Sequence, residues 1–322
     1  MKLPTLDEVR TARSLIYRFM PPTPQYSWPL LNRRLGTEVW LKHENHTPVG
    51  AFKIRGALVY FDRLRDEQRG LRGAVAATRG NFGQGVAMAA RLFGVPCTIV
   101  VPHGNSVEKN EAMRAQGAAL VEHGDDFQDA LEYARGLADE RGAVFVESFH
   151  PWLVTGTATY ALELFEGAPA LDRVYVPIGL GSSICGVAAV RNAINQSTEI
   201  VGVVSAASPS YLRSFQARKL VEAPAQTRIA DGLACRVPNR DALEIILAQV
   251  SRMIEVDDAA IMDAMRACFE DTHNLAEGAG AAALAGALAE RDSLRNKRVG
   301  IILTGGNVDR QVYAEVLQGS SN

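Results

Sequence analysis

The sequence predicts an α/β protein in which short buried strands alternate with helices, an array of βα units. Two observations carry that class. From Gly73 onward, short apolar or β-branched runs recur between helix-compatible segments, and they read as buried on both faces, as parallel strands are. Three of the runs also end in polar, glycine-rich turns, and the carboxyl ends of strands are where ligands collect in open α/β sheets. The 322 residues suit two domains at ~150 residues each, and they are enough for a buried core. With 47% hydrophobic residues, 22% charged residues and a net charge of -2, nothing in the bulk charge points to nucleic acid or a membrane surface.

Each element has its own signal. Residues 5 to 19 read as a helix that Thr5 or Asp7 can cap, with Val9, Ala12, Ile16 and Phe19 at helical spacing, stopped by Pro21-Pro22-Thr23-Pro24. A strand spans 38 to 42, and a helix runs from Lys53 to about Leu64. A strand over 74 to 78 ends in the turn Arg79 to Gly85, and a helix of small residues continues to Phe93. The β-branched run 97 to 101 is a strand between Pro96 and Pro102. Ser106 caps a helix ending near Gly117. Then come a strand over 118 to 122, a helix over 127 to 141 and a strand over 144 to 146. After Pro151 follow a helix over 153 to 165, a strand over 173 to 177 leading into a glycine turn and a further helix, and a strand over 200 to 204. Asp257 caps a helix to about Phe269, an alanine-rich helix covers 276 to 290, and the last strand is 299 to 303.

Four stretches carry chemistry. Lys53 follows a turn-like Pro48-Val49-Gly50 segment, beside Phe52 and ahead of an apolar helix. A lysine there can anchor an aldehyde; a lone lysine near a helix start is more often a surface charge. Gly179, Leu180, Gly181, Ser182 and Ser183 lie between a strand and a helix, where successive N–H groups and the helix N-terminus suit a phosphate. The next glycine is Gly186 and no Lys-Ser/Thr pair follows, so neither the dinucleotide fingerprint nor the ATP loop is present, and a plain turn is equally open. In the turn from Thr78 to Gly85, the Asn81 amide can hold a phenolic or carboxylate oxygen or make an Asx turn, and Arg79 can pair with an acid or stay solvated. Thr304-Gly305-Gly306-Asn307 offers a hydroxyl to a ring nitrogen, or is a turn with no ligand. Asp231-Gly232 and Glu277-Gly278-Ala279-Gly280 are weaker signals, open to structural roles.

The six histidines make no metal-ligand pattern; His43 and His46 read as loop residues, solvated or locally bonded, and no metal site is expected. Cys97, Cys185, Cys235 and Cys268 lie far apart and read as buried free thiols of a reducing cytoplasm. The start of the chain lacks the apolar core of a signal peptide, and no apolar run approaches the ~20 residues of a membrane span.

An amine, a phosphate cradle, an oxygen-binding amide and a neutral hydroxyl are four needs of one molecule, pyridoxal phosphate. The motifs Gly50-Ala51-Phe52-Lys53-Ile54-Arg55-Gly56-Ala57, Gly80-Asn81-Phe82-Gly83-Gln84-Gly85, Pro177-Ile178-Gly179-Leu180-Gly181-Ser182-Ser183, Ile229-Ala230-Asp231-Gly232 and Thr304-Gly305-Gly306-Asn307 occur in that order. In them the chain resembles the threonine/serine dehydratase family, within the tryptophan-synthase-β-like, fold type II pyridoxal-phosphate enzymes. The resemblance covers nearly the whole chain. It implies two open, twisted, mainly parallel sheets flanked by helices, with a small domain (47–151) inserted into a large one (1–46 and 152–322). It implies Lys53 as the lysine bonded to the cofactor and as the α-proton base, Phe52 on one face of the ring and Asn81 at the ring oxygen. The backbone of Gly179 to Ser183 is then at the phosphate, Thr304 at the ring nitrogen, and Thr78, Arg79, Gly80, Asn81 and Phe82 around the substrate carboxylate. The implied reaction removes the β-hydroxyl of a 3-hydroxy amino acid, giving a 2-oxo acid and ammonia, in a cytoplasmic homodimer.

Three departures qualify the resemblance. Arg79 replaces the family's usual serine, the proton donor on the opposite ring face in racemases; arginine keeps its proton at neutral pH, so racemisation is expected to be poor. Phe82 replaces a histidine, and Val203-Val204-Ser205-Ala206 stands where some relatives carry metal-binding carboxylates. With no regulatory segment after Asn322, feedback control is not expected. A bulkier or acidic substrate (phenylserine, 3-hydroxyaspartate), a racemase, a β-replacement enzyme and a non-catalytic binder remain the alternatives.

Overall fold

The computed structural model describes residues 1–68 and 70–319. The chain opens with α1 (Leu6–Ile16), β1 (Gln25–Tyr26), α2 (Pro29–Leu35) and β2 (Glu38–His43). A central stretch follows: α3 (Lys53–Glu67), β3 (Ala74–Ala77), α4 (Asn81–Leu92), β4 (Cys97–Val101), α5 (Val107–Ala115), β5 (Ala119–Glu122), α6 (Phe127–Arg141) and β6 (Val144–Phe145). Next come α7 (Pro151–Gly167), β7 (Arg173–Pro177), α8 (Ser182–Ala193), β8 (Glu199–Ser205), α9 (Ser210–Ala217), α10 (Arg240–Gln249) and β9 (Arg252–Val256). The chain closes with α11 (Asp258–Thr272), α12 (Gly278–Ala289), β10 (Arg298–Leu303) and α13 (Arg310–Gln318).

Two sheets result. One has the order β1-β2-β10-β7-β8-β9, all parallel except the pairing of β1 with β2; the other is the parallel sheet β5-β4-β3-β6. The second sheet comes entirely from the chain between β2 and β7. The central strands β3, β4 and β7 are buried throughout, which is why they read as unbroken apolar runs. Helix α12 is apolar on every side and packs against β7, β8, β9 and β10. No helix among the described residues is long and apolar enough to cross a membrane.

Local signals account for most boundaries. Thr5 caps α1 through a capping box with Glu8, Ser106 caps α5 by accepting from Lys109 N, and Asp257 caps α11 by accepting from Ala260 N. The helix expected over 5 to 19 ends at Ile16. A larger correction concerns the segment expected as a turn from Arg79 to Gly85: α4 already begins at Asn81. Gly83 and Gly85 sit inside this helix for packing, since a Cβ on Gly83 would overlap Met113 and Thr78, and one on Gly85 would lie 3.0 Å from the carbonyl carbon of Lys53. His43 ends β2 rather than lying in a loop; it is buried and accepts from Trp28 Nε1 at 3.0 Å. All four cysteines are free and buried.

Candidate active site

The site lies at the carboxyl ends of β3, β7 and β10, where the turns that follow these strands come together. Helix α7 sets its frame. On one side it meets α3 so closely that a Cβ on Gly156 would overlap the Arg55 carbonyl, and one on Gly56 would lie 2.9 Å from the Leu153 carbonyl oxygen. On its other side, a Cβ on Gly186 of α8 would lie 2.9 Å from Ala158 N. These small-residue crossings hold the start of α3, which carries Lys53, beside the start of α8, which carries Ser182 and Ser183.

Arg55 locks the same helix from within. It is fully buried and bonds to Glu44 (2.7 and 2.9 Å), Glu163 (2.7 and 2.9 Å), Thr159 and Thr23. Lys42 adds a 2.6 Å bond to Glu163. Burial opposes the Arg55 charge, but Glu44 and Glu163 outweigh it and raise its pKa. Burial likewise works to raise the Glu163 carboxyl, yet Arg55 and Lys42 hold it below the usual carboxylate range. The network is balanced in charge and satisfied in hydrogen bonds, the condition under which buried ions are tolerated.

Lys53 starts α3, and its Nζ stands 4.7 Å from the centre of the Phe52 ring. Burial pushes the ammonium down to about 8, with Glu277 opposing. Phe52 N donates to the Thr304 carbonyl at 3.1 Å, and Ala51 bridges Gly305, so the lysine turn and the Thr304 turn are stitched together. The Thr304 hydroxyl is buried and makes only a long 3.4 Å bond to the Ala279 carbonyl. A small cavity beside Lys53 is lined by Phe82, Leu153, Thr157 and Ser182.

The five residues from Gly179 to Ser183 form a loop entering α8. Gly181, at φ +100°, takes a left-handed conformation costly for other residues, and a Cβ on Gly179 would overlap the Gly232 carbonyl. No side chain caps α8, although Ser182 and Ser183 are buried. Buried helix N–H groups without a cap call for an acceptor from outside the helix, and a phosphate supplies one. The loop is braced at both ends: Tyr160 Oη lies 2.6 Å from Ser183 Oγ, and the Tyr211 hydroxyl donates to the Leu180 carbonyl at 2.9 Å.

At the start of α4, Thr78 Oγ1 accepts from Gly80 N and Gly83 N. Thr78, Gly80 and Phe82 are buried and Asn81 half-buried, whereas Arg79 is exposed. Asn81 donates to Glu277 Oε1 at 2.5 Å and accepts from Asn307 Nδ2 at 2.7 Å. Burial pushes the Glu277 carboxyl up to about 7, against Lys109 and with Asp231 adding to the rise. Lys109, alongside Gly80, donates to Asp231 at 2.6 Å. Lys53, Phe52, Asn81, the loop and Thr304 are thus brought together. Glu277 and Asp231 were only weak flags in the sequence, and Asn307 was legible only as the last residue of its motif.

The residues fit pyridoxal phosphate on chemistry alone: a half-buried amine beside a cavity, an uncapped buried helix start beside a glycine cradle, a spare amide N–H and a neutral hydroxyl. Comparison with known proteins agrees. Residues 16–305 match the family model described as "Pyridoxal-phosphate dependent enzyme". The chain is 35% identical to the L-threonine ammonia-lyase of Thermotoga maritima, over 97% of this chain and 78% of that protein. It is 33% identical to the L-threo-3-hydroxyaspartate ammonia-lyase of Saccharomyces cerevisiae, over 100% of this chain and 99% of that protein. The structure of maize serine racemase is similar with a TM-score of 0.91 at 32% identity, covering 97% of this chain and 96% of that one.

Proposed function

The chain belongs to the family of pyridoxal-phosphate dependent enzymes, and from that premise we propose that it is an ammonia-lyase that removes the β-hydroxyl of a 3-hydroxy amino acid, giving a 2-oxo acid and ammonia. The observation that carries the reading is Lys53, half-buried where the lysine turn, the Thr304 turn and the start of α8 meet, with its ammonium pushed down to about 8 by desolvation. The names of the ammonia-lyase relatives support the reaction class.

Each residue has a part. Lys53 would be the residue that holds the cofactor's aldehyde, and its Nζ would accept the α-proton of the substrate; burial favours the neutral amine this requires. Phe52 covers one ring face. The N–H groups of Gly179 to Ser183 hold the phosphate, and Asn81 donates to the ring oxygen. Thr304 meets the ring nitrogen with a hydroxyl that does not keep it protonated as a carboxylate does. The backbone from Thr78 to Phe82 receives the substrate carboxylate at a helix start. Bound there, the cofactor supplies an electron sink for the pair left at Cα. The proposed small domain, 47–151, inserted between 1–46 and 152–322, is supported by the separate four-stranded sheet. A cytoplasmic homodimer is part of the proposal: the buried free thiols support the compartment, and the dimer rests on the resemblance.

Arg79 favours a second reading for the substrate. It is exposed beside the carboxylate-binding turn, where it can pair with a second carboxylate such as that of a 3-hydroxyaspartate. Incubating the holoenzyme with serine, threonine, phenylserine and 3-hydroxyaspartate, scored for 2-oxo acid and ammonia, tests both readings. Release from at least one of the four is expected, and none from all four overturns the lyase. Equal losses of serine and 3-hydroxyaspartate turnover in Arg79→Ala overturn the selectivity idea.

A further inference from the structure

We propose that Glu277 and Asn307 are positioning residues that fix the orientation of the Asn81 amide, leaving it one uncommitted N–H for the ring oxygen of the cofactor. The inference rests on the reading of Asn81 given above. Three hydrogen bonds define the device. Asn81 Nδ2 donates to Glu277 Oε1 at 2.5 Å, Asn307 Nδ2 donates to Asn81 Oδ1 at 2.7 Å, and the same Asn307 nitrogen donates to the Val49 carbonyl at 2.8 Å. Both Asn307 hydrogens are therefore spent on carbonyl oxygens. Turning its amide over would set its oxygen against two acceptors, so Asn307 has one orientation.

That orientation dictates the next one. Turned over, Asn81 would point its oxygen at Glu277 Oε1 and its NH2 at the NH2 of Asn307, losing both bonds and creating two repulsive contacts. As placed, one Asn81 N–H is committed to Glu277 and the other is free. The sequence separations, 196 residues to Glu277 and 226 to Asn307, show that the device is assembled by the fold rather than by local sequence.

Two glycines make room for it. A Cβ on Gly305 would lie 2.5 Å from Glu277 Oε1 and 3.2 Å from Asn81 Nδ2, and a Cβ on Gly50 would lie 2.6 Å from Asn307 Oδ1. The glycines of the lysine turn and the Thr304 turn thus serve the amide chain. Glu277 is fully buried, and its Oε2 has no hydrogen-bond partner among the described residues. A carboxylate is left half-satisfied in a buried site, which a merely structural capping role does not require.

The readout is the absorbance of the lysine-bound cofactor, whose visible band reports an ionised ring oxygen and whose near-ultraviolet band reports a neutral one. A donor to the ionised oxygen favours the visible form. The visible-to-near-ultraviolet ratio is measured at fixed pH for the wild-type holoenzyme, Asn81→Ala, Glu277→Ala, Glu277→Gln and Asn307→Ala, together with the melting temperature of each cofactor-free protein. Asn81→Ala, Glu277→Ala and Asn307→Ala are expected to lower the ratio by about three- to tenfold, the value of one hydrogen bond. Glu277→Gln, which keeps the size of the side chain and an acceptor oxygen, is expected to restore much of it. Melting temperatures that fall in Glu277→Ala and Asn307→Ala, with both ratios equal to wild type, overturn the inference. An unchanged ratio in Asn81→Ala overturns the reading of Asn81 itself, so the two failures are distinguishable.

Discussion

A lysine held in a dry pocket has a measurable cost when nothing has yet bonded to it. The Lys53 pKa falls from the ordinary 10.5 to about 8 in the folded chain because burial disfavours the ammonium. Unfolding lets it bind a proton more readily, so between pH 8 and 10.5 the unfolded state holds more protons and stability rises with pH. Below pH 8 the full penalty applies, at most roughly 3 kcal/mol. Urea unfolding of the cofactor-free protein across that range should show this limb, and Lys53→Met should lack it; parallel profiles contradict the placement of Lys53. At this scale the sequence was most informative where a residue sits in a motif: Lys53, Asn81, Thr304 and the loop from Gly179 to Ser183 were all singled out. Glu277 is only a weak signal in the sequence, open to a structural role, and no spacing rule connects it to Asn81, 196 residues away.

Among the elements, α3, α7 and α8 set the geometry of the site, and Arg55 pins α3 to α7. Arg55→Ala leaves Glu44 and Glu163 buried with Lys42, Thr23 and the Tyr17 hydroxyl to answer them among the described residues. Loss of one partner from a buried ionic network costs about 3–5 kcal/mol, and equilibrium denaturation should show a loss of that size. A loss under ~1 kcal/mol, the value of a surface pair, would show that the network is solvated. Strands buried on both faces were legible as apolar runs, and capped helices were legible from Thr5, Ser106 and Asp257. The elements β1, α2, α9, α10, β9 and α13 were not anticipated. β1 has two residues and a partner set by β2. α9 and α10 follow Pro209 and Asn239 in a stretch whose polar turns give no regular period, and β9 is an edge strand that is only partly buried. The start of α4 was misplaced because Gly83 and Gly85 read as turn residues when they answer to tertiary packing.

Across the whole molecule, α5 ties the smaller sheet to the C-terminal part of the chain. Lys109, which packs on Gly80, bonds Asp231, Ser106 bonds Asp309, and Arg310 N donates to Glu108. Whole-chain similarity to both ammonia-lyases and a racemase means that the fold does not choose between the reactions. In the proposed function that choice is assigned to Arg79, since a guanidinium is a poor proton donor. Serine incubated in deuterated water should lose its hydroxyl without appreciable conversion to the other enantiomer, and rapid inversion contradicts the assignment. All of this depends on one covalent bond. Borohydride reduction of the holoenzyme followed by peptide mass mapping tests it directly: the account predicts a single cofactor-derived addition on Lys53, and an unmodified Lys53, or an addition on another lysine, contradicts it.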